Sequence, residues 1–230
     1  MQTYKYDTHV HTSQTSPCGR IPAERLVQMY KAAGYQGAII TDHYFDEYFE
    51  YMDCKEWKQK VNRFLEGYRA ALCEGQKIGF DIILGMELRF QENLNDYLVY
   101  GFDESFLFGN KELYKLGLNK FRQLVKGMDI LIYQAHPFRS WVNQADPELL
   151  DGVEVFNGSH QFDSLNHKAY GFAEDNGLKM ISGSDFHNEQ DLARGGIVIP
   201  ERIGTPKELV YVLNENRIIE LIAREECVRS

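Results

Sequence analysis

Short apolar runs rich in β-branched residues alternate along this chain with stretches whose apolar positions recur every three or four residues. The first pattern predicts buried strands and the second predicts amphipathic helices packed on them. Residues 4–11 read as the first strand. A helix opens at Pro22, carries Leu26, Val27, Tyr30 and Ala33 on its apolar stripe, and ends at Gly34. Residues 37–43 form the second strand, and a long helix over about 53–75 buries Trp57, Val61, Phe64, Leu65, Tyr68 and Leu72. Further strands fall at 80–87, 97–102 and 130–136, the last stopped by Pro137, with a helix over 111–126. Strands at 152–156, 179–182 and 196–199, with helices at 164–176 and 206–214, complete the pattern.

About seven βα units follow one another with no linker, repeat or low-complexity stretch, so a single domain over 1–230 is expected. Polar, protonatable residues recur just past the apolar runs: His9 and His11, Asp42 and His43, Glu87, His136, Asp185 and His187. In an open doubly wound sheet, ligands gather at one switch point. Residues at the ends of so many strands converge only if the sheet curls into a closed or nearly closed α/β barrel.

Composition narrows the function. The formal charge of -9 argues against a surface that coats nucleic acid, which needs clustered Lys and Arg. Two bound divalent ions would bring that charge to -5, and three to -3. No apolar run approaches the roughly 20 residues that span a bilayer, and no apolar leader precedes the first strand, so a cytoplasmic protein is expected. Cys18, Cys54, Cys73 and Cys227 are widely spaced, which fits reduced thiols better than a disulfide framework. A P-loop, a G-x-G-x-x-G after the first strand and a G-x-S-x-G elbow are all absent.

His9 and His11 lie two apart on a strand and project from one face, so both imidazoles can hold one ion. Repetition of such residues at later strand ends strengthens that reading. Asp7-Thr-His-Val-His-Thr12, Thr41-Asp-His43, Gly85-Met-Glu-Leu88, Ala135-His-Pro137, Gly152-Val-Glu-Val-Phe-Asn157 and Gly183-Ser-Asp-Phe-His187 closely resemble, in order, the motifs of the PHP (polymerase and histidinol phosphatase) family. The resemblance implies a distorted (β/α)7 TIM-like barrel with a cluster of two or three metals that hydrolyses phosphoesters.

Carried over by position, the resemblance makes His9, His11 and Asp185 ligands of a first metal and Glu87 the carboxylate that bridges it to a second. His136 matches a second-metal ligand, and His43 and His187 match ligands of a third. Asp96 falls where the family usually has another second-metal histidine. Cys18 stands near the usual Asp or His of the third site, where it is either a thiolate ligand or a buried thiol. Mixed His and carboxylate donors favour zinc, manganese or iron over calcium or magnesium. Asp7 and Asp42 are expected either to fix imidazole tautomers behind the ligands or to cap strand ends, and Glu154 is expected in a structural or supporting role rather than as a ligand.

A hydroxide bridging the first two ions would attack phosphorus, because metal activation of water outweighs a positioned side-chain base. Glu87 and Asp185 are thus the catalytic carboxylates. Arg139 is the first candidate to clamp the phosphate oxygens, with Arg20 and Arg194 behind it, and His160 is a candidate acid near the leaving group. His167 is expected to be an ordinary surface or packed residue of a helix. A small phosphomonoester, such as a nucleotide or a phosphorylated amino-alcohol, is the expected substrate. A nuclease-like phosphodiesterase, a non-catalytic metal-binding scaffold and an amide hydrolase are the competing readings.

Overall fold

The computed structural model describes residues 2–224, so Cys227 lies outside it. The elements run β1 (Tyr4–Val10), α1 (Ala23–Ala32), β2 (Gly37–Ile40), β3 (His43–Tyr44), α2 (Asp46–Glu50), α3 (Trp57–Phe64) and α4 (Glu66–Ile78). Then come β4 (Asp81–Arg89), β5 (Asp96–Tyr100), α5 (Glu104–Gly109), α6 (Leu118–Leu124), β6 (Leu131–Gln134), β7 (Gly152–Asn157) and α7 (Asn166–Asn176). The chain continues through β8 (Lys179–Gly183), β9 (Gly195–Ile199), α8 (Pro206–Asn214) and β10 (Glu220–Ala223). The strands form one sheet in the order β10-β9-β1-β2-β4-β5-β6-β7-β8, with β3 extending the pairing on β4.

The sheet curls into a distorted (β/α)7-type barrel whose last seam lies between β8 and β1. Thr8 Oγ1 donates to the Ser182 carbonyl at 2.8 Å, and past the strand ends Val10 bridges Phe186. Backbone bonds from Phe186 N to His9 O (3.2 Å) and from His11 N to Phe186 O (3.0 Å) complete the join. Close approach here needs Gly183, since a Cβ at that position would stand 2.4 Å from His9 Cβ. Inside, Tyr6, Ile39, Ile83, Tyr100, Tyr133, Ile181 and Ile197 meet one another and the apolar face of α8, which plugs the end away from the ligand residues.

Several features depart from the expected pattern, among them β9, which runs antiparallel to β1 and β10. β5 runs antiparallel to both neighbours, because the loop 90–95 is too short for the crossover that a parallel partner requires. Its first residue, Asp96, therefore lies at the ligand end of the barrel. The helix expected over 53–75 starts at Trp57 and breaks at Leu65, where the Thr15 hydroxyl donates to Phe64 O (3.0 Å) and accepts from Gly67 N (3.1 Å). The helix expected over 111–126 is interrupted at Gly117, whose φ of +78° ends any helical run, and α6 begins beyond it with Leu118 N capped by Glu92 at 2.9 Å. β3, α2, α5 and β10 carry no periodic signal strong enough to have been predicted. No helix among the described residues is long and apolar enough to cross a membrane.

Candidate metal centre

β1 delivers its histidines through an irregularity. Its register against β2 shifts between Asp7 and Val10, so Tyr6 points into the barrel core while Asp7 faces outward to α1, where its Oδ2 accepts from Tyr30 OH at 2.8 Å. Beyond the shift, Val10 packs on α1 and His9 and His11 face the barrel mouth together. His136 follows β6 and Asp185 follows β8. Both take left-handed backbone, at φ +31° and +50°, which non-glycine residues adopt only under tertiary constraint.

Glu87 is the hub. Its Oε1 lies 3.4 Å from His9 Nε2 and 3.0 Å from His136 Nε2, and its Oε2 lies 3.4 Å from His11 Nε2 and 2.7 Å from His43 Nδ1. Asp185 Oδ1 sits 3.4 Å from His9 Nε2 and 3.3 Å from His11 Nε2. The side chains form four overlapping ligand sets: His9, His11 and Glu87; His9, His136 and Asp185; Glu87, Asp96 and His136; and His11, His43 and His187. Cys18 Sγ is 3.2 Å from His43 Nε2, at the edge of the last set. All eight residues expected to hold metal therefore converge.

The Nε2 atoms of His9 and His11 are fully buried with no hydrogen-bond partner. Leaving buried polar nitrogens unpaired is costly unless a cation satisfies them, so the donor set fits bound metal. His9 Nδ1 meets Glu154 Oε1 at 2.8 Å, which turns Nε2 toward the cluster. Glu154 Oε2 also accepts from His136 N (3.0 Å) and Asn157 Nδ2 (2.9 Å), so this carboxylate stands behind the ligands. Ser16 Oγ donates to Asp42 Oδ1 at 2.6 Å, which leaves it to accept from His11 Nδ1 at 3.2 Å.

Both aspartates accept backbone N–H groups at strand ends, and neither bonds an imidazole directly. Asp42 reaches the imidazole only through Ser16. Asp7 contacts no imidazole; its Oδ1 accepts from His9 N (3.1 Å) and Ser184 N (3.0 Å), tying β1 to the segment after β8.

Electrostatics keep the hub charged. Burial works to raise Glu87, yet His9 and His43 hold it well below the usual carboxylate range. Burial likewise opposes ionisation of Asp185, and His9, Arg139 and His187 outweigh it. His11 is pushed well down by burial and by the neighbouring His187 and His43, which keeps its lone pair available. Burial would push the Cys18 thiol up, but hydrogen bonds from His187 and His43 bring it down to about 6.

A cavity of about 310 Å³ opens onto the cluster and is walled in part by Arg20, Arg89, Arg139, Trp141 and Phe162. A larger groove of about 740 Å³ beside α2 and α3 contains none of the four ligand sets. Arg139 is buried beneath the cavity wall. Its Nη2 donates to Asp185 Oδ2 (2.6 Å) and Asn157 Oδ1 (2.9 Å), and its Nε donates to Ser164 Oγ (3.2 Å), so it braces a ligand as well as facing the cavity. Arg194 is not on the cavity wall. His160 turns away, its Nδ1 2.6 Å from the buried Asp191, while Ser159 and Gln161 on either side line the cavity. His167 is exposed on α7, the first of the two readings.

Arg89 was missed by the sequence reading, although it lies two residues after Glu87 on the same strand and so shares its face. The predicted strand ended at Glu87 and left it in a loop. Trp141 and Phe162 stand on loops whose sequence carries no signal of their position.

The family model of the PHP domain matches residues 7–222. A search of curated proteins finds no match. Among solved structures, the chain resembles a two-domain protein from Bacteroides vulgatus containing a predicted PHP-like metal-dependent phosphoesterase, with a TM-score of 0.64 and 17% identity. The match covers 94% of this chain and 64% of that one, so this chain spans just under two thirds of that relative. PsfC from Pseudomonas syringae gives a TM-score of 0.63 at 15% identity over 94% of this chain and 98% of that one. An amidohydrolase from Chromobacterium violaceum with bound sulfate and no metal gives 0.55 at 16% identity over 94% and 97%. The chain belongs to the PHP domain family.

Proposed function

We propose that this protein is a single catalytic unit, working in the cytoplasm, that hydrolyses a small phosphomonoester such as a nucleotide or a phosphorylated amino-alcohol. The observation that carries the reading is the ring of four imidazoles around Glu87, with the Nε2 atoms of His9 and His11 buried and unpartnered. His9, His11, Glu87 and Asp185 would hold one ion, with His136 and with His43 and His187 holding others; zinc, manganese or iron suits these donors. Bound there, two or three such ions would supply Lewis acidity and lower the pKa of water to near neutrality.

The chain's own groups do the remaining work. Glu154 and Ser16 hold the imidazoles of His9 and His11 with Nε2 turned toward Glu87 and Asp185. Arg139 keeps Asp185 in place through its 2.6 Å bond and, with Arg20, presents positive charge to an entering phosphate. The cavity volume lies at the lower end for small-molecule sites, and together with the net charge of -9 this supports a small substrate over a nucleic-acid strand. Cys18, Cys54 and Cys73 are free thiols, in keeping with a reducing compartment.

The test is phosphate release by metal-loaded protein from a nucleoside monophosphate, set beside nucleotide release from a single-stranded oligonucleotide. The monophosphate should be preferred, and His11→Ala should abolish turnover. Preference for the oligonucleotide would favour the phosphodiesterase reading; bound ions without turnover of either would leave a metal-binding scaffold.

A further inference from the structure

Among the four ligand sets, the one formed by Glu87, Asp96 and His136 is distinguished by an aspartate with both oxygens taken, whereas Arg139 takes only Oδ2 of Asp185 and leaves Oδ1 to face His9 and His11. Arg89 and Asp96 face each other across the β4–β5 ladder. Arg89 Nε donates to Asp96 Oδ1 and Nη2 to Oδ2, both at 2.8 Å, so a guanidinium fork occupies both carboxylate oxygens. His136 Nε2 lies 3.9 Å from the same Oδ2, so the arginine and the imidazole converge on one atom. Asp96 is nearly sealed from solvent, and the guanidinium rests 5.4 Å from the Phe45 ring centre, which holds it against the cavity wall.

We infer that Arg89 serves as the resident cation of Asp96, so that the Glu87–Asp96–His136 position takes a divalent ion much more weakly than the positions built on His9, His11 and Asp185 and on His11, His43 and His187. This rests on the metal-dependent reading above. An ion entering that position must either detach a two-point hydrogen-bonded fork or sit beside a like charge in a partly desolvated site, and both oppose binding. At Asp185 the Arg139 guanidinium makes a single bond to Oδ2, so Oδ1 stays 3.4 Å and 3.3 Å from the unpartnered Nε2 atoms of His9 and His11 and no fork has to be detached. Arg89 thereby sets how many ions the protein holds when metal is scarce.

The experiment is titration of metal-free full-length protein with Mn²⁺ against a competing chelator, reading the number and affinity of bound equivalents. Wild type should show a tight class and one separate weak equivalent. Arg89→Met should tighten that equivalent by about tenfold or more, the scale on which groups behind metal ligands act. Asp96→Asn alone should leave the tight class unchanged, while Asp96→Asn added to Arg89→Met should remove the gain. Identical isotherms for wild type and Arg89→Met would overturn the assignment, as would loss of a tight equivalent in Asp96→Asn, which stays informative should Arg89→Met fail to fold. No bound ion in any variant would overturn the metal-dependent reading itself.

Discussion

Replacing Gly183 by alanine tests whether the β8–β1 seam positions the metal centre. An alanine Cβ would stand 2.4 Å from His9 Cβ, 2.8 Å from Glu154 Oε1 and 3.1 Å from His9 N. Two carbons settle at roughly 3.5–4.0 Å, so one of the strands must retreat by about 1 Å. Overpacking of this kind costs about 1–3 kcal/mol. For a chain of this size each kcal/mol shifts the melting temperature by about 2–4 °C, so a fall of about 2–12 °C is expected. Asp185 lies two residues beyond Gly183, only 3.4 Å from His9, so the same displacement should also weaken metal binding. Calorimetry of the metal-free protein reads the first effect and chelator competition reads the second. Gly171→Ala in α7 is the control: nothing lies within 4 Å of its added Cβ, and the helix should gain about 0.5–1 kcal/mol. A Gly183→Ala protein that melts with wild type and binds metal equally well would refute the argument that this glycine sets the site.

Two further outcomes follow from groups behind the ligands. In Glu154→Gln an amide nitrogen replaces one of two oxygens that accept from His9 Nδ1, His136 N and Asn157 Nδ2, so at least one donor meets a donor. Metal affinity should drop about 10–100-fold by chelator competition, and an unchanged value would deny Glu154 its orienting role. Burial raises the Asp7 carboxyl from its ordinary 3.8 to about 6, against the pull of hydrogen bonds from Ser184, His9 and Tyr30. Because the folded value lies above the unfolded one, the native state holds this proton more tightly. Wild-type stability relative to Asp7→Asn should therefore fall as pH rises from about 4 to about 6 and level off above, as read by urea unfolding at stepped pH; a constant difference would contradict the shift.

Much of the centre was legible because its chemistry is written locally. His9, His11, Glu87, His136 and Asp185 each stand at or just past an apolar strand, and ionisable groups in such places need a partner that no neighbouring residue supplies. Glu154 was recognised as a supporting group for the same reason, lying inside a buried strand motif. The reversal of β5 had a readable cue in the short loop 90–95, but the alternation of strands and helices elsewhere masked it. Arg139 lines the cavity, yet its bond to Asp185 was hidden, because 46 residues separate them and only barrel closure brings them together. Arg194 and His160 show the converse: each lies near a motif in sequence, but neither lines the cavity.

What the sequence determined by itself was which side chains must leave water without a local partner, and hence that imidazoles and carboxylates from distant strands must gather into one cluster. Strand periodicity and apolar runs encode burial residue by residue, so this much needs no coordinates. The tertiary structure alone decided which oxygen meets which nitrogen: the register shift that turns His9 and His11 to the mouth, the reversed β5 that brings Asp96 to the same end, and the clasp of Arg89 on that aspartate. Those choices depend on strand direction, register and closure, where displacement by one residue exchanges the inner and outer faces, and pairwise sequence spacing carries no record of them.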